Sequence, residues 1–482
     1  MQKRFFSSLA LSLFLNLLIK PISVLVVDAG VQRVLGNEVY GQYFVLLTLT
    51  LVFNIFLDLG INNFTTRYIA QEETQINQHV SRVFYLRLIM FLCYAVLVFA
   101  AAWLINIPHN QYLLLTFLVL NQFFIQSIAF IRSLFAGLHL FNTDTFISVL
   151  DRALLILIMG SGLLFSIPSI TINNFVIAQT VCYFGTFMLA AWLIRNQLKW
   201  IIPVFDPAYM MSILKRSAPF ALLVLLMLLY NRSDVVLLKQ LAAEGNYQAG
   251  IYAQGYRLLD AFYMLGMIFA SLLFPVFSRM IHQRSQELSE LLQISGKLLI
   301  GGAIGIMFVS IYNAPFLLHL IYGDTVDAHS ITVFVYLMIA FLAMSFNFIF
   351  GTLLTAGGYL RALNLSALVG VIVSVGFNIY LIPKYGAEGA AIAAIATQSV
   401  VSILLVIISA KKLRMHFSVK SLFAFIGFGG LLFSIKTLSN IGNTLFQTLL
   451  FDVIMVGVFA FLFSIIDLKS LGKIFNFKEG PQ

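Results

Sequence analysis

The sequence predicts an all-α, polytopic membrane protein, and three observations carry that expectation. Of 482 residues, 61% are hydrophobic and only 10% are charged, whereas soluble chains carry about 25% charged residues. Apolar runs of about 20 residues recur from end to end, each long enough to cross a hydrocarbon layer roughly 30 Å thick. Lysines and arginines gather at one side of these runs, as the positive-inside rule requires. Backbone in lipid must satisfy its own hydrogen bonds, so the runs are expected to be helices. A β-barrel would show alternating segments of about 10 residues, and the sequence has no such pattern.

Fourteen candidate spans follow: 5–27, 43–59, 83–105, 112–134, 146–167, 175–194, 218–238, 253–277, 298–321, 331–354, 363–382, 387–408, 422–438 and 444–466. The first begins after Lys3-Arg4 like a signal peptide. It is too long for one and lacks a small-residue cleavage site, so it is read as a retained span. With both termini cytoplasmic, Lys3/Arg4, Arg67/Arg82/Arg87, Arg195/Lys199/Lys215/Arg216, Arg279/Arg284/Lys297, Lys411/Lys412/Arg414/Lys420 and Lys469/Lys473/Lys478 all fall on the cytoplasmic side. Arg33, Lys239, Lys384 and Lys436 fall outside. A wrong span count would scramble this bias. The net charge of +10 is therefore read as cytoplasmic-loop charge and not as a nucleic-acid footprint. Cys93 and Cys182 lie in apolar runs and are read as small core residues without redox chemistry.

The longest loop, Arg195 to Ser217, contains Pro203 and Pro207. The expected organisation is an N-terminal lobe (1–195), a cytoplasmic linker (196–217), a C-terminal lobe (218–410) and two further helices with a cytoplasmic tail (411–482). An internal repeat supports the division. Gly36/Gly245, Asn37/Asn246, Gly41/Gly250 and Tyr43/Tyr252 coincide at one offset, as do Val26-Val27 and Val235-Val236. Ile167-Pro168 also echoes Ile382-Pro383. Two parallel six-helix repeats are an arrangement used for alternating access.

Three stretches carry a resemblance. The first is Val34-Leu-Gly-Asn-Glu-Val-Tyr-Gly-Gln-Tyr43, with Leu57-Asp-Leu-Gly-Ile61. The second runs from Gly250-Ile-Tyr-Ala-Gln-Gly-Tyr-Arg257 through Leu273-Phe-Pro-Val-Phe-Ser-Arg279. The third is Thr355-Ala-Gly-Gly-Tyr-Leu-Arg361 leading to Asn378-Ile-Tyr-Leu-Ile-Pro-Lys-Tyr-Gly-Ala-Glu-Gly-Ala-Ala391, and Tyr322-Gly-Asp324 supplies a further turn. In order and spacing the chain resembles the polysaccharide transport family of the multidrug/oligosaccharidyl-lipid/polysaccharide exporter superfamily. The resemblance implies a V-shaped pair of six-helix lobes plus two C-terminal helices. It implies flipping of undecaprenyl-pyrophosphate-linked repeat units for O-antigen, capsule or a related glycan, and it brings no catalytic set. The implied partners are the lipid-linked oligosaccharide, membrane lipids and glycan polymerase machinery.

Ionisable groups inside a span cost roughly 2.5–3.5 kcal/mol on insertion scales, so they face a cavity or a partner. Lys20 lies about 22 Å along the first span, Arg232 about 21 Å along the seventh, and Arg257 about 10 Å below Gly250. These three cations are the candidates for a pyrophosphate headgroup. The competing reading is internal pairing, with Asp234 two residues from Arg232 and Asp260 one turn from Arg257. Asp58 and Asp234 are candidate H+ or Na+ coupling groups; for Asp58 the competing reading is capping of a backbone turn. Arg87 and Arg361 sit at the cytoplasmic mouth, where they either guide an anionic headgroup or simply set topology. Pro21 directly follows Lys20, so a bend there would re-aim that charge. Gly296, Gly301, Gly302 and Gly305 suit close helix packing.

Rival functions are a multidrug exporter of the same superfamily, a membrane-embedded glycan polymerase or transferase, and a scaffold without transport. An exporter predicts fewer cavity cations. An enzyme predicts a sizeable loop to gather acid and base groups, and the loops here are short. No zinc-type Cys/His spacing, phosphate-binding glycine loop or ATPase motif occurs, so neither metal nor cofactor is expected.

Overall fold

The computed structural model describes residues 15–165, 170–198, 202–283, 287–413, 419–438, 445–463 and 465. Lys3-Arg4, Ile167-Pro168 and the C-terminal tail lie outside these residues. The described chain is helical throughout, with ten helices long and apolar enough to cross a membrane and two shorter apolar helices near the end. It is a multi-pass membrane protein. The helices are α1 (Leu15–Val52), α2 (Ile61–Gln71), α3 (Ile76–Leu104), α4 (Tyr112–Gly137), α5 (Phe141–Leu164), α6 (Ile172–Ile194), α7 (Pro207–Leu241), α8 (Gly245–His282), α9 (Leu288–Tyr312) and α10 (Ala314–Tyr322). They continue as α11 (Ala328–Ala356), α12 (Leu360–Leu413), α13 (Val419–Leu438) and α14 (Leu445–Leu462).

Local chemistry sets the ends. Thr171, Asp206 and Asp327 accept from the amides of Asn174, Tyr209 and Ser330 at 3.2, 3.0 and 2.7 Å, which caps α6, α7 and α11; each cap satisfies an amide that the first helical turn leaves open. Pro207 takes the first position of α7, where its missing N–H costs nothing. Two long helices are interrupted by glycine. Gly36 (φ 77°) breaks α1 and Gly386 (φ 55°) breaks α12, in a backbone region that side chains other than glycine rarely occupy. Directly after Pro21, α1 widens into a π-turn over Ser23–Asp28. A second π-turn, Asn347–Gly351, lies in α11.

The chain divides into two compact units, 1–250 and 251–482. In the first, α2, α3, α4 and the start of α7 share an apolar core that includes Ile69, Val83, Leu134, Met210 and Ile213. The start of α7 is thus part of a folded helix and core, and α7 as a whole packs against α1. In the second unit, α11 packs along α12, and Ser402 bonds both the Ala343 carbonyl (2.6 Å) and Asn347 (2.9 Å) at the π-turn. Helix α9 receives the C-terminal pair. A side chain at Gly301 would collide with Ile465, and one at Gly305 would stand 2.6 Å from Val456. Gly296 and Gly302 have open space beside them, so the packing role expected for four glycines falls on two. Cys182 is buried, whereas Cys93 is exposed. The expectation of two core cysteines is corrected at Cys93, because α3 turns that face outward.

Candidate functional site: a charged seam in the first unit

Within the first unit, half-buried charged side chains and polar groups from α1, α4, α5 and α6 lie near one another. Asn16 Nδ2 donates to Ser148 Oγ at 2.9 Å and sets α1 against α5. One turn further along α1 comes Lys20, whose electrostatic neighbours are Arg132, Arg152, Asp151 and Asp144. Arg132 Nε donates to Asp144 Oδ1 at 2.7 Å, joining α4 to α5. Arg152 Nε lies 3.6 Å from Asp151 Oδ2, with its guanidinium 5.7 Å from the Tyr183 ring. Asp28 and Tyr43 also act on Arg152, and Tyr43 accepts from Gln179 Nε2 at 3.2 Å. The seam thus gathers α1 on both sides of Gly36, α4, α5 and α6.

Each arginine of the seam already has a carboxylate. Lys20 is half-buried and, among the described residues, held in no ion pair. An ammonium in that setting attracts an anion that brings its own charge into the bundle.

The other predicted residues are placed as follows. Arg232 is half-buried in α7, and Asp234, 4% exposed, accepts from the Val235 amide at 3.1 Å. Arg257 is 9% exposed in α8, with Asp260 half-buried one turn on. All four are engaged by neighbours. Arg232 belongs to the first unit and Arg257 to the second. Asp58 accepts from the Gly60 and Asn62 amides at 3.2 and 3.0 Å. Arg361 is exposed in the first turn of α12.

Arg87 does not start its helix. Helix α3 begins at Ile76, which puts Arg87 about three turns in. There its Nη2 donates to the Gln126 carbonyl at 2.8 Å and its guanidinium lies 4.6 Å from the Phe130 ring. Sequence reasoning passed over Asp28, Arg132, Asp144, Asp151 and Arg152. The rule that singled out Lys20 also applies to Arg152, which stands inside the fifth candidate span.

A bundle of apolar helices with a half-buried charged seam defines a class: polytopic membrane proteins that carry intramembrane charge. A family model described as polysaccharide biosynthesis protein matches residues 7–281, and the chain belongs to that family. No curated protein matches it. Its fold is similar to that of the lipid II flippase MurJ in an inward closed conformation (TM-score 0.72, 16% identity, 95% of this chain and 97% of that one). It is also similar to an inward-facing multidrug-resistance MATE transporter of the MOP superfamily (TM-score 0.64, 14% identity, 82% and 94%). A MOP superfamily transporter from Pyrococcus furiosus, described as having a binding pocket of reverse polarity, matches with TM-score 0.57 and 15% identity over 84% and 96%. These relatives are a flippase and transporters, not enzymes.

Proposed function

We propose that this protein flips undecaprenyl-pyrophosphate-linked oligosaccharide repeat units, of O-antigen, capsule or a related glycan, across the bacterial cytoplasmic membrane by alternating access. Both termini lie in the cytoplasm. Membership of the polysaccharide biosynthesis family and a fold like that of a lipid II flippase support a lipid-linked glycan as cargo. The observation that carries the reading is Lys20, a membrane-embedded cation beside Arg132 and Arg152, whose carboxylates are already assigned. A pyrophosphate headgroup adds its anion beside Lys20, in a seam whose carboxylates Asp28, Asp144 and Asp151 balance its three cations. The arginines then add charge-assisted hydrogen bonds if the headgroup displaces Asp144 or Asp151. Gradient coupling through H+ or Na+ at Asp234 or Asp58, and hand-over to a glycan polymerase, complete the proposal.

The test is deletion and complementation, with leaflet sidedness of the lipid-linked oligosaccharide as readout. Deletion is expected to trap the glycan-lipid on the cytoplasmic leaflet. Lys20→Ala is expected to fail to rescue despite normal insertion, while Lys20→Arg rescues in part. Unchanged sidedness after deletion would make drug export the reading to pursue.

A further inference from the structure

We propose that the seam takes the pyrophosphate headgroup in two stages: Arg132 receives it near the inner end of α4 and α5, and Lys20 with Arg152 holds it about two turns deeper. The proposal rests on the flippase reading, with the termini in the cytoplasm, and adds an order of contacts to it.

Two contacts fix how α1 lies along α5. Asn16 Nδ2 meets Ser148 Oγ at 2.9 Å, and a side chain at Gly30 would stand 2.7 Å from Leu163. The two helices therefore run in the same direction and keep their register. Lys20, one turn past Asn16, stands level with Arg152, one turn past Ser148. Arg152 falls near the middle of α5 (Phe141–Leu164), beside Asp151.

The other ion pair lies nearer the helix ends. Asp144 belongs to the first turn of α5 and takes the 2.7 Å bond from Arg132 Nε on α4. It precedes Asp151 by about 10 Å along the helix. With the termini in the cytoplasm, the turn that joins α4 to α5 is cytoplasmic. Arg132 and Asp144 then stand close to the inner boundary of the apolar layer, and Lys20 and Arg152 near its middle. Lys20 has electrostatic neighbours in both pairs, so its ammonium bridges the two levels.

Both levels can be reached by a ligand. The side chains of Arg132 and Asp144 are 31% and 21% exposed, and those of Arg152 and Asp151 are 29% and 18% exposed. The charge is also polarised along the path. Each pair is neutral in itself, Lys20 adds a cation between them, and Asp28, 4% exposed, adds a carboxylate about two turns beyond Lys20. An anion from the inner side thus meets Arg132, then Lys20 and Arg152, and next a carboxylate that repels it. Charge stranded in an apolar layer is costly, so a path that replaces each contact with the next lowers the barrier. At the first stage the headgroup displaces Asp144 from Arg132, whose planar fork suits two phosphate oxygens. At the second stage Asp144 is free to return.

That order makes a kinetic distinction. Once the headgroup is held, Arg132 is back on Asp144 and no longer touches it. Removing Arg132 then raises the barrier in both directions and leaves the final affinity alone. Removing Lys20 weakens the held state itself.

The experiment follows binding and release of farnesyl pyrophosphate by stopped flow, with the full chain in nanodiscs. Arg132→Gln combined with Asp144→Asn removes the first pair at constant net charge. It is expected to slow association and dissociation about tenfold each, with Kd within about threefold. Lys20→Gln is expected to speed dissociation about tenfold and to leave association within about threefold. Arg132→Lys keeps the pair with Asp144, and with it the fold, but loses the planar fork. It is expected to slow both rates about threefold at unchanged Kd. A first-pair variant that weakens Kd as Lys20→Gln does places all these residues in one site and overturns the two stages. Unchanged rates in that variant overturn them too, as does absence of binding by the unaltered protein. Inorganic pyrophosphate is the second probe, and binding as tight as that of farnesyl pyrophosphate overturns the lipid-linked assignment. The expected rates in a protein that does not flip lipid-linked oligosaccharide would leave the order of contacts standing and count against the flippase reading.

Discussion

Gly41 and Asn246 stand in contact with no room between them: a side chain at Gly41 would collide with the Asn246 carbonyl. The relation is reciprocal, because a side chain at Gly250 would collide with the Asn37 carbonyl. The four residues are the two repeat-related pairs read from the sequence, each an asparagine followed four residues later by glycine. The repeat therefore marks a crossing of two helix starts at backbone distance, which only glycine permits. Gly41→Ala and Gly250→Ala are each expected to destabilise the protein by about 1–3 kcal/mol, the scale of overpacking a tight site. Because both act on one crossing, the double variant should fall short of the sum. Gly162→Ala and Gly296→Ala, with open space beside them, should leave thermal stability in detergent nearly unchanged.

Arg152 tests whether the seam works as a unit. Its guanidinium stands beside Asp151 and over Tyr183. Arg152→Ala is expected to lower flipping about tenfold, the effect of losing one charge-assisted hydrogen bond of roughly 1.5 kcal/mol to the proposed pyrophosphate headgroup. Arg132→Asp combined with Asp144→Arg rebuilds that pair in reverse and should recover more activity than either single change. The leaflet-sidedness assay reads both. Equal loss in the single and reversed variants would remove the pair from the mechanism.

What could be read in the sequence follows from which signals are local. Gly36 was visible because a helix break with left-handed backbone selects glycine, and its repeat partner Gly245 opens α8. Lys20 was visible because a charge deep in an apolar run is conspicuous. Asp28 was hidden because a charge at the edge of a run looks like its end, yet α1 continues through it as a π-turn. Arg132 and Arg152 lie inside the fourth and fifth candidate spans, and counting them with the topology charges hid what the rule applied to Lys20 shows for Arg152 as well. The start of α3 was placed late because His79, Ser81 and Arg82 look like a loop, although all three hold the start of α7 or the residues leading into it. Which partners meet across helices depends on helix rotation and packing, and no spacing in the sequence encodes that. The pairing of Arg132 with Asp144 and of His79 with Tyr209 is therefore structural information.

Lys436 and Asp452 are expected to hold the C-terminal helices in register. Lys436 Nζ lies 2.7 Å from Asp452 Oδ1, and Asn313 Nδ2 donates to Asp452 Oδ2 at 2.8 Å. The carboxylate is wholly buried. Removing one partner of a buried pair leaves an uncompensated charge and costs about 3–5 kcal/mol, whereas replacing both by apolar groups is close to neutral. Asp452→Ala should therefore lower the melting temperature sharply. Lys436→Met combined with Asp452→Leu should recover most of it. A double variant as unstable as the single one would mean that the pair contributes more than charge compensation.

Asp58 separates capping from ion coupling. Its two carboxylate oxygens accept from the Gly60 and Asn62 amides, closing a turn in which Leu59 and Gly60 both take positive φ. A cap needs an acceptor and no charge, so Asp58→Asn should cost less than about 1 kcal/mol, while Asp58→Ala should cost about 0.5–2 kcal/mol. Flipping should follow stability in both. A coupling carboxylate behaves differently, because asparagine cannot exchange a proton or balance a cation. An Asp58→Asn variant of normal stability that no longer flips would move Asp58 from the turn to the transport cycle. Its proximity to the Arg87 charge would then make Arg87→Gln the next substitution to measure.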